Sequence, residues 1–214
     1  MVNRCIFLSV LVVLTVATGR AQSGEWQQLW NGKDLTDWKH IGFGRFLIED
    51  GILKTEGVPG TLGLLYYKER VGNCIIRVVY KETPPGQSNS GVYIRIPKEP
   101  TDEQEVVRIA HEIQIGGRTT GEVYGVSPVL TAPPLKLGPE DWNTMEITIE
   151  GAHTIVTVNG VKVTDFTQGV SPTRPNMRDY YATMRPNEGW FGLQNHNRDV
   201  VWFKEVSIKR LPKQ

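Results

Sequence analysis

Cysteine is nearly missing from this chain. Cys5 lies in an N-terminal apolar stretch and Cys74 in the strand-like run Asn73-Cys74-Ile75-Ile76, so neither a disulfide framework nor a cysteine-rich zinc site is available. A domain without staples must be held by its core, and Cys74 reads as a small buried hydrophobe. Like-charge blocks are also missing: 24 Lys+Arg are interspersed with 23 Asp+Glu, which leaves a nucleic acid little to hold. Helical periodicity is almost absent, and no internal repeat or domain linker occurs. No His-x-His or His-Glu-x-x-His spacing exists, so a metal site would have to assemble from distant strands.

Long apolar runs are lacking too. The longest, Cys5 to Ala17, has 13 residues, whereas a bilayer-crossing helix needs roughly 20. It follows Arg4 and precedes Thr18-Gly19-Arg20-Ala21, with small residues at positions −3 and −1 of a cut before Gln22. Residues 1–21 are therefore expected to be a cleaved signal peptide and residues 22–214 a single secreted or periplasmic domain. The alternative is an uncleaved anchor. Cleavage would remove Arg4 and Arg20 and leave 22 Lys+Arg against 23 Asp+Glu, a net charge of −1 with no membrane span in the mature chain.

What the sequence does contain is turn formers and aromatics. Its 22 Gly, 13 Pro, six Trp, seven Tyr and six Phe exclude disorder and point to a turn-rich β protein. Period-two alternation recurs from Trp26 to Leu211. Two hairpins are predicted, Phe46 to Thr55 around Asp50-Gly51 and His153 to Phe166 around Asn159-Gly160, both turns suited to positive φ. In the second, Val158 should pair with Val161 and Val156 with Val163, putting four valines on one face. Further strands are predicted at Leu62–Tyr67, Cys74–Glu82, Gly91–Ile96, His111–Ile115, Trp142–Glu150, Gly189–His196 and Val200–Arg210. Thr101-Asp102-Glu103-Gln104 is expected to open one short helix through a capping box, ending near Arg108. Loops are expected at Tyr124–Asp141 and Gln168–Glu188, and long loops commonly wall a site. With no βαβ rhythm, the expected fold is all-β, an antiparallel β-sandwich or a closed barrel.

Alternation also assigns faces, because neighbouring side chains on a strand point oppositely. In Val92-Tyr93-Ile94-Arg95-Ile96 the aliphatic residues take the core, sending Tyr93 and Arg95 outward. In His111-Glu112-Ile113-Gln114-Ile115 the outward residues are Glu112 and Gln114, with His111 on the core side as a packing residue. In Trp190-Phe191-Gly192-Leu193-Gln194-Asn195-His196 they are Trp190, Gln194 and His196. By contrast, Met145, Ile147 and Ile149 alternate with Thr144, Glu146, Thr148 and Glu150, an ordinary Thr/Glu surface. Aromatic, amide and charged groups on three strands suit a sugar, whose C–H faces stack on rings while its hydroxyls pair with polar forks.

Glu112 and Gln114 stand two apart on one strand, the spacing at which a retaining glycosidase places two carboxyls roughly 5–5.5 Å apart. Here the second group is an amide, which can neither form a glycosyl ester nor shuttle protons. Ordinary two-carboxylate hydrolysis from this strand is disfavoured. One carboxylate with an imidazole suits proton abstraction beside a carbonyl instead. His196, at a strand end on the polar face, could be base, acid or metal ligand.

Several motifs then coincide in order. They are Leu29-Trp30-Asn31-Gly32-Lys33-Asp34-Leu35-Thr36-Asp37-Trp38, Glu49-Asp50-Gly51-Ile52-Leu53 and Asn89-Ser90-Gly91-Val92-Tyr93-Ile94-Arg95. Glu112-Ile113-Gln114-Ile115, Thr120-Gly121-Glu122-Val123-Tyr124-Gly125, Trp142-Asn143-Thr144, Val158-Asn159-Gly160 and Gly192-Leu193-Gln194-Asn195-His196 follow. The set resembles the 3-keto-disaccharide hydrolase family, from about Trp26 to Leu211. The resemblance implies a concanavalin A-like jelly roll acting on glucosides oxidised at C3, by β-elimination of the aglycone and rehydration. Carried over position by position, Arg95, Glu112, Gln114, Tyr124, Gln194 and His196 fall in the family's motifs. His196 or Glu112 would be the base, and Arg95 or a bound divalent cation the enolate stabiliser. Glu112 and His196 are the candidate ligands for such a cation. Tyr93, Gln114, Tyr124, Trp190 and Gln194 would hold the sugar. The chain departs from the family pattern at Gly116-Gly117-Arg118, where an Asp is frequent, and at Asn195, where Asp is usual. The rival readings are a non-catalytic carbohydrate-binding module of lectin type and a structural domain at the cell surface.

Overall fold

A computed structural model describes residues 24–174 and 184–212. The expected signal peptide lies outside the described residues. Thirteen strands and one α-helix run through the described chain. One sheet has eight strands: β1 (Trp26–Gln28), β3 (Arg45–Glu49), β4 (Ile52–Glu56), β6 (Cys74–Thr83), β9 (Asn143–Glu150), β10 (His153–Val158), β11 (Val161–Thr167) and β13 (Val200–Arg210). Its order is β11-β10-β9-β6-β13-β4-β3, with β1 also paired to β13. The other sheet has five: β2 (Trp38–Gly42), β5 (Leu62–Tyr67), β7 (Ser90–Ile96), β8 (His111–Ile115) and β12 (Trp190–His196), in the order β2-β5-β12-β7-β8. All pairings are antiparallel, so the expected jelly-roll sandwich is what forms.

Each sheet lends one face to a common core. Leu65, Val92, Ile94, Ile113, Phe191 and Leu193 of the smaller sheet pack against Ile76, Val78, Met145, Ile147, Val156, Phe203 and Val206 of the larger one. Burying each such side chain stabilises the fold by roughly 1.5–3 kcal/mol. Both hairpins form at the expected turns, where Asp50 (φ 51°), Gly51 (φ 75°), Asn159 (φ 49°) and Gly160 (φ 81°) all take left-handed backbone. In the second, Val158 pairs with Val161, but a bulge after Val156 sets that residue opposite Thr164 instead of Val163. Val161, at the hairpin tip, is exposed. β1 and β2 are additions to the expected strands. Their alternation is too short to register, since β1 has three residues and is held by pairing with β13.

The outer faces of the two sheets differ. Along β6 and β9, buried residues alternate with half-buried ones, as expected for a sheet wetted on one side. Along β7 and β8 every residue is buried. Part of the cover is α1 (Glu103–Ile109), whose Val106 packs with Ala110 against Leu64, Tyr66, Tyr93 and Ile96. A seven-residue helix is unstable alone, so this packing and its cap hold it. The cap is Asp102, one residue later than the capping-box reading, and its carboxylate accepts the Glu105 N–H at 2.9 Å. Among the described residues no helix is long and apolar enough to cross a membrane.

Candidate active site

Beside α1, the outer face of the five-stranded sheet opens into a cavity of about 490 Å³, the size of a small-molecule site. Its floor is the junction of β8, β7 and β12. Tyr93 stands opposite Glu112, Gly91 opposite Gln114, and Gly192 opposite Tyr93. Pairing between strands therefore brings Tyr93, Glu112, Gln114, Gln194 and His196 together in the lining. Tyr124 joins them at the rim, 44% exposed, its N–H bonded to the Glu112 carbonyl at 2.9 Å. Six of the eight sequence-predicted site residues thus meet in one hollow.

Arg95 does not, and this is a correction. A bulge between β7 and β12 places Tyr93 opposite Gly192 but Ile96 opposite Trp190. Arg95 takes left-handed backbone there (φ 57°), which breaks the alternation the face assignment assumed. Its guanidinium turns through the sheet and donates to the carbonyls of His153 (3.0 Å) and Pro186 (3.3 Å) and to Thr154 Oγ1 (3.2 Å). It is 2% exposed, and burial lowers its pKa to about 10. Past the bulge the faces exchange, so Ile96 lies under α1 rather than in the main core. Trp190 is a second correction. It keeps the outer face, but packs against the α1 cluster, donates from Nε1 to the Lys68 carbonyl and is covered by the Arg70 guanidinium. It does not reach the cavity lining.

Glu112 is the buried acid of the floor, 7% exposed. Its side chain lies across Gly91, where any Cβ would come within 2.4 Å of Oε1. Burial pushes its pKa up to about 7; hydrogen bonds from Tyr93 and Gln194 pull the other way, and Glu122 pushes it further up. Near neutral pH Glu112 can therefore hold or release a proton. Gln194 donates from Nε2 to the Tyr93 hydroxyl at 2.8 Å, while its buried Oε1 has no partner among the described residues. That leaves an acceptor available to a ligand hydroxyl.

His196 occupies the far side of the floor. Its Nδ1 lies 3.0 Å from Asp199 Oδ2, across the turn in which Asn197 is left-handed (φ 51°). A carboxylate there favours the proton on Nδ1 and leaves Nε2 as a basic lone pair. Asn89 Nδ2 stands 3.5 Å from Nε2, and its Oδ1 accepts from Gln114 Nε2 at 2.8 Å. The amide of Gln114 thus orients Asn89, and Asn89 faces the imidazole. Sequence reasoning missed Asp199 and Asn89 as site residues. The signal for Asp199 was present: an Asx-rich turn directly after a strand-ending histidine. His111 lies on the core side as expected, edge-on to Phe166, and burial with nearby Arg185 and Arg95 lowers its pKa to about 3.

Among the described residues no arginine or lysine lines the cavity, and no three His, Cys, Asp or Glu side chains are grouped to hold a metal ion. The described donor set does not fit a resident cation on Glu112 and His196. A second carboxyl, Glu122, shares the outer face beside Gln114. It is bound by Arg174 and lies outside the cavity lining. Two free carboxyls facing one bond are therefore not formed by the described residues.

No curated protein matches the chain in sequence. Among solved structures, a protein of Parabacteroides distasonis provisionally named a glycosyl hydrolase is 24% identical, with a TM-score of 0.68 over 87% of this chain and 100% of that one. A galectin-like protein of unknown function from Bacillus subtilis is 13% identical, with a TM-score of 0.57 over 90% and 99%. A carbohydrate-binding module from the same organism, CBM66, is 11% identical, with a TM-score of 0.52 over 81% and 96%. These likenesses share the fold. The sequence profile of the 3-keto-alpha-glucoside-1,2-lyase-like domain matches residues 25–209. With that match over most of its length, the chain belongs to the 3-keto-alpha-glucoside-1,2-lyase-like domain family, a carbohydrate-related family.

Proposed function

We propose that this chain is an enzyme that cleaves glycosides carrying a ketone at C3, by elimination followed by hydration. The C3 carbonyl acidifies the C2 proton. His196 Nε2, held by Asp199 on its other nitrogen, takes that proton. The C2–H electron pair becomes the C1=C2 double bond, the C1–O bond to the aglycone breaks, and Glu112 protonates the departing oxygen. Water then adds at C1 and a proton returns to C2, giving net hydrolysis. Negative charge developing on the C3 oxygen would be met by amide and phenol donors of the floor, since Arg95 is turned away. The unpartnered Gln194 Oε1 would accept a sugar hydroxyl.

The observation that carries this reading is a buried carboxyl with its pKa near 7 facing the same cavity as a carboxylate-braced histidine. That pairing supports general acid–base chemistry more than double displacement. We extend the proposal to export, with residues 1–21 as the leader.

The test is turnover of 3-keto-trehalose and simple 3-keto-glucosides, followed by the ultraviolet absorbance of the enone. His196→Ala should lower kcat about 10²–10⁴-fold. Equal rates in His196→Ala and the unaltered chain would refute the site. Sugar binding without any turnover would favour the lectin-like reading instead.

A further inference from the structure

The guanidinium that Arg95 fails to bring to the site has a counterpart one layer out. Residues 121–124 run antiparallel along the free edge of β8. Gly121 N donates to Gln114 O (2.8 Å), Gln114 N to Glu122 O (3.1 Å) and Tyr124 N to Glu112 O (2.9 Å). Val123 pairs with Ile113, and both are fully buried in the core. By alternation, the flanking Glu122 and Tyr124 face outward, as Glu112 and Gln114 do. Glu122 is therefore a near neighbour of Glu112 on one face, only 4% exposed.

This position is rigidly built. Thr164 donates to the Gly121 carbonyl at 2.7 Å, and a Cβ on Gly121 would come within 2.5 Å of Val163. Val123 and Ser127 exchange backbone hydrogen bonds, and Arg174 N donates to the Val126 carbonyl at 2.7 Å. The Arg174 side chain then pairs with the Glu122 carboxylate, so one loop supplies both its backbone anchor and its counter-ion.

Resting on the acid role proposed for Glu112, we infer that the Glu122–Arg174 ion pair is a positioning device that biases Glu112 toward its protonated form. Burial raises the Glu122 carboxyl, and the Arg174 guanidinium draws it back toward the ionised form. Burial is the larger cause of the raised Glu112 carboxyl, and negative charge on Glu122 adds to it. The other groups around Glu112 do not duplicate this. Tyr93 of β7 and Gln194 of β12 donate hydrogen bonds to it. Tyr124, His196 and Gln104 of α1 line the cavity without an anionic side chain. His111 and Arg95 turn to the opposite side of the sheet.

The test is an infrared titration of the buried carboxyl groups in the full chain, with Glu112→Gln assigning the Glu112 band. This readout does not depend on turnover. Glu122→Gln should lower the Glu112 midpoint by about one pH unit, and Glu122→Asp, which keeps the charge, should restore it. Arg174→Gln should move the Glu122 midpoint upward, because the guanidinium that lowers it is removed. An unchanged Glu112 midpoint in a folded Glu122→Gln variant would overturn the inference. So would Glu122→Asp behaving like Glu122→Gln, because the effect would then be packing and not charge. If the midpoints move as expected but no 3-keto-glycoside is turned over, the device stands and the proposed reaction falls. If turnover requires His196 while the midpoints stay fixed, the reverse holds.

Discussion

The two sheets present the same alternation to solvent and use it oppositely. On the larger sheet, the outward residues of β6 and β9 pair with one another in the open. Arg77 lies 2.7 Å from Glu146 and over the Trp26 ring, while Lys81 reaches Glu140 and the Trp142 ring. On the smaller sheet, Tyr93, Glu112, Gln114 and Gln194 occupy equivalent outward positions but are buried. Water screens the first set. The second is stripped of water by α1 and by the segment along β8, so its charges and hydrogen bonds act at full strength. Polar alternation alone does not distinguish the two faces; burial under a cover does.

The contrast breaks most visibly at Glu112 and His196. Glu112→Gln removes the proposed proton donor while keeping its shape, and kcat should fall about 10²–10⁴-fold with little change in melting temperature. A Thr148→Ala exchange on the larger sheet should leave kcat unchanged. Next comes Arg95, which separates structure from chemistry. Arg95→Met strands the buried acceptors Thr154 and His153, and urea unfolding should show a loss of about 1–3 kcal/mol for each. Any activity deficit should track the unfolded fraction rather than appear in KM.

A third effect sharpens the comparison through pH. Glu112 and Glu82 are both buried with pKa values raised to about 7, Glu82 by burial and by Asp199. The native state therefore holds their protons more tightly than the unfolded chain does. Their contribution to stability is full below the ordinary carboxyl pKa of 4.5 and declines as pH rises through 7. Denaturant unfolding at pH 5 and pH 8 should show Glu82→Gln gaining on the unaltered chain by about 2.5 kcal/mol. The smallest effect belongs to the open surface. Glu146→Gln, which breaks a pair whose side chains are about one-third exposed, should cost less than about 1 kcal/mol.

Much of this was legible in the residues. Asp50-Gly51 and Asn159-Gly160 announce their hairpins because few other dipeptides take two left-handed conformations in a row. The floor of the site was legible wherever alternation ran unbroken, in His111–Ile115 and in Gln194 to His196. It failed at Arg95, where one left-handed residue exchanges the faces and carries a guanidinium into the interior. It also failed at Trp190, because parity gives a face and not a neighbour, and α1 occupies that neighbourhood. Glu122 was passed over because the edge it covers is defined by contacts with β8, and its own segment is too short to show a period. Asp199 was legible in the Asx-rich turn after the strand-ending His196 and was passed over.

The most direct measurement is the fate of the hydrogen at C2. Early turnover of a 3-keto-disaccharide in heavy water, corrected for exchange without enzyme, should give a ketohexose carrying one deuterium at C2, because hydration returns a solvent proton there. A product that keeps its original hydrogen at C2 would mean that the aglycone leaves by displacement at C1, and the acid–base role assigned to His196 and Glu112 would be contradicted.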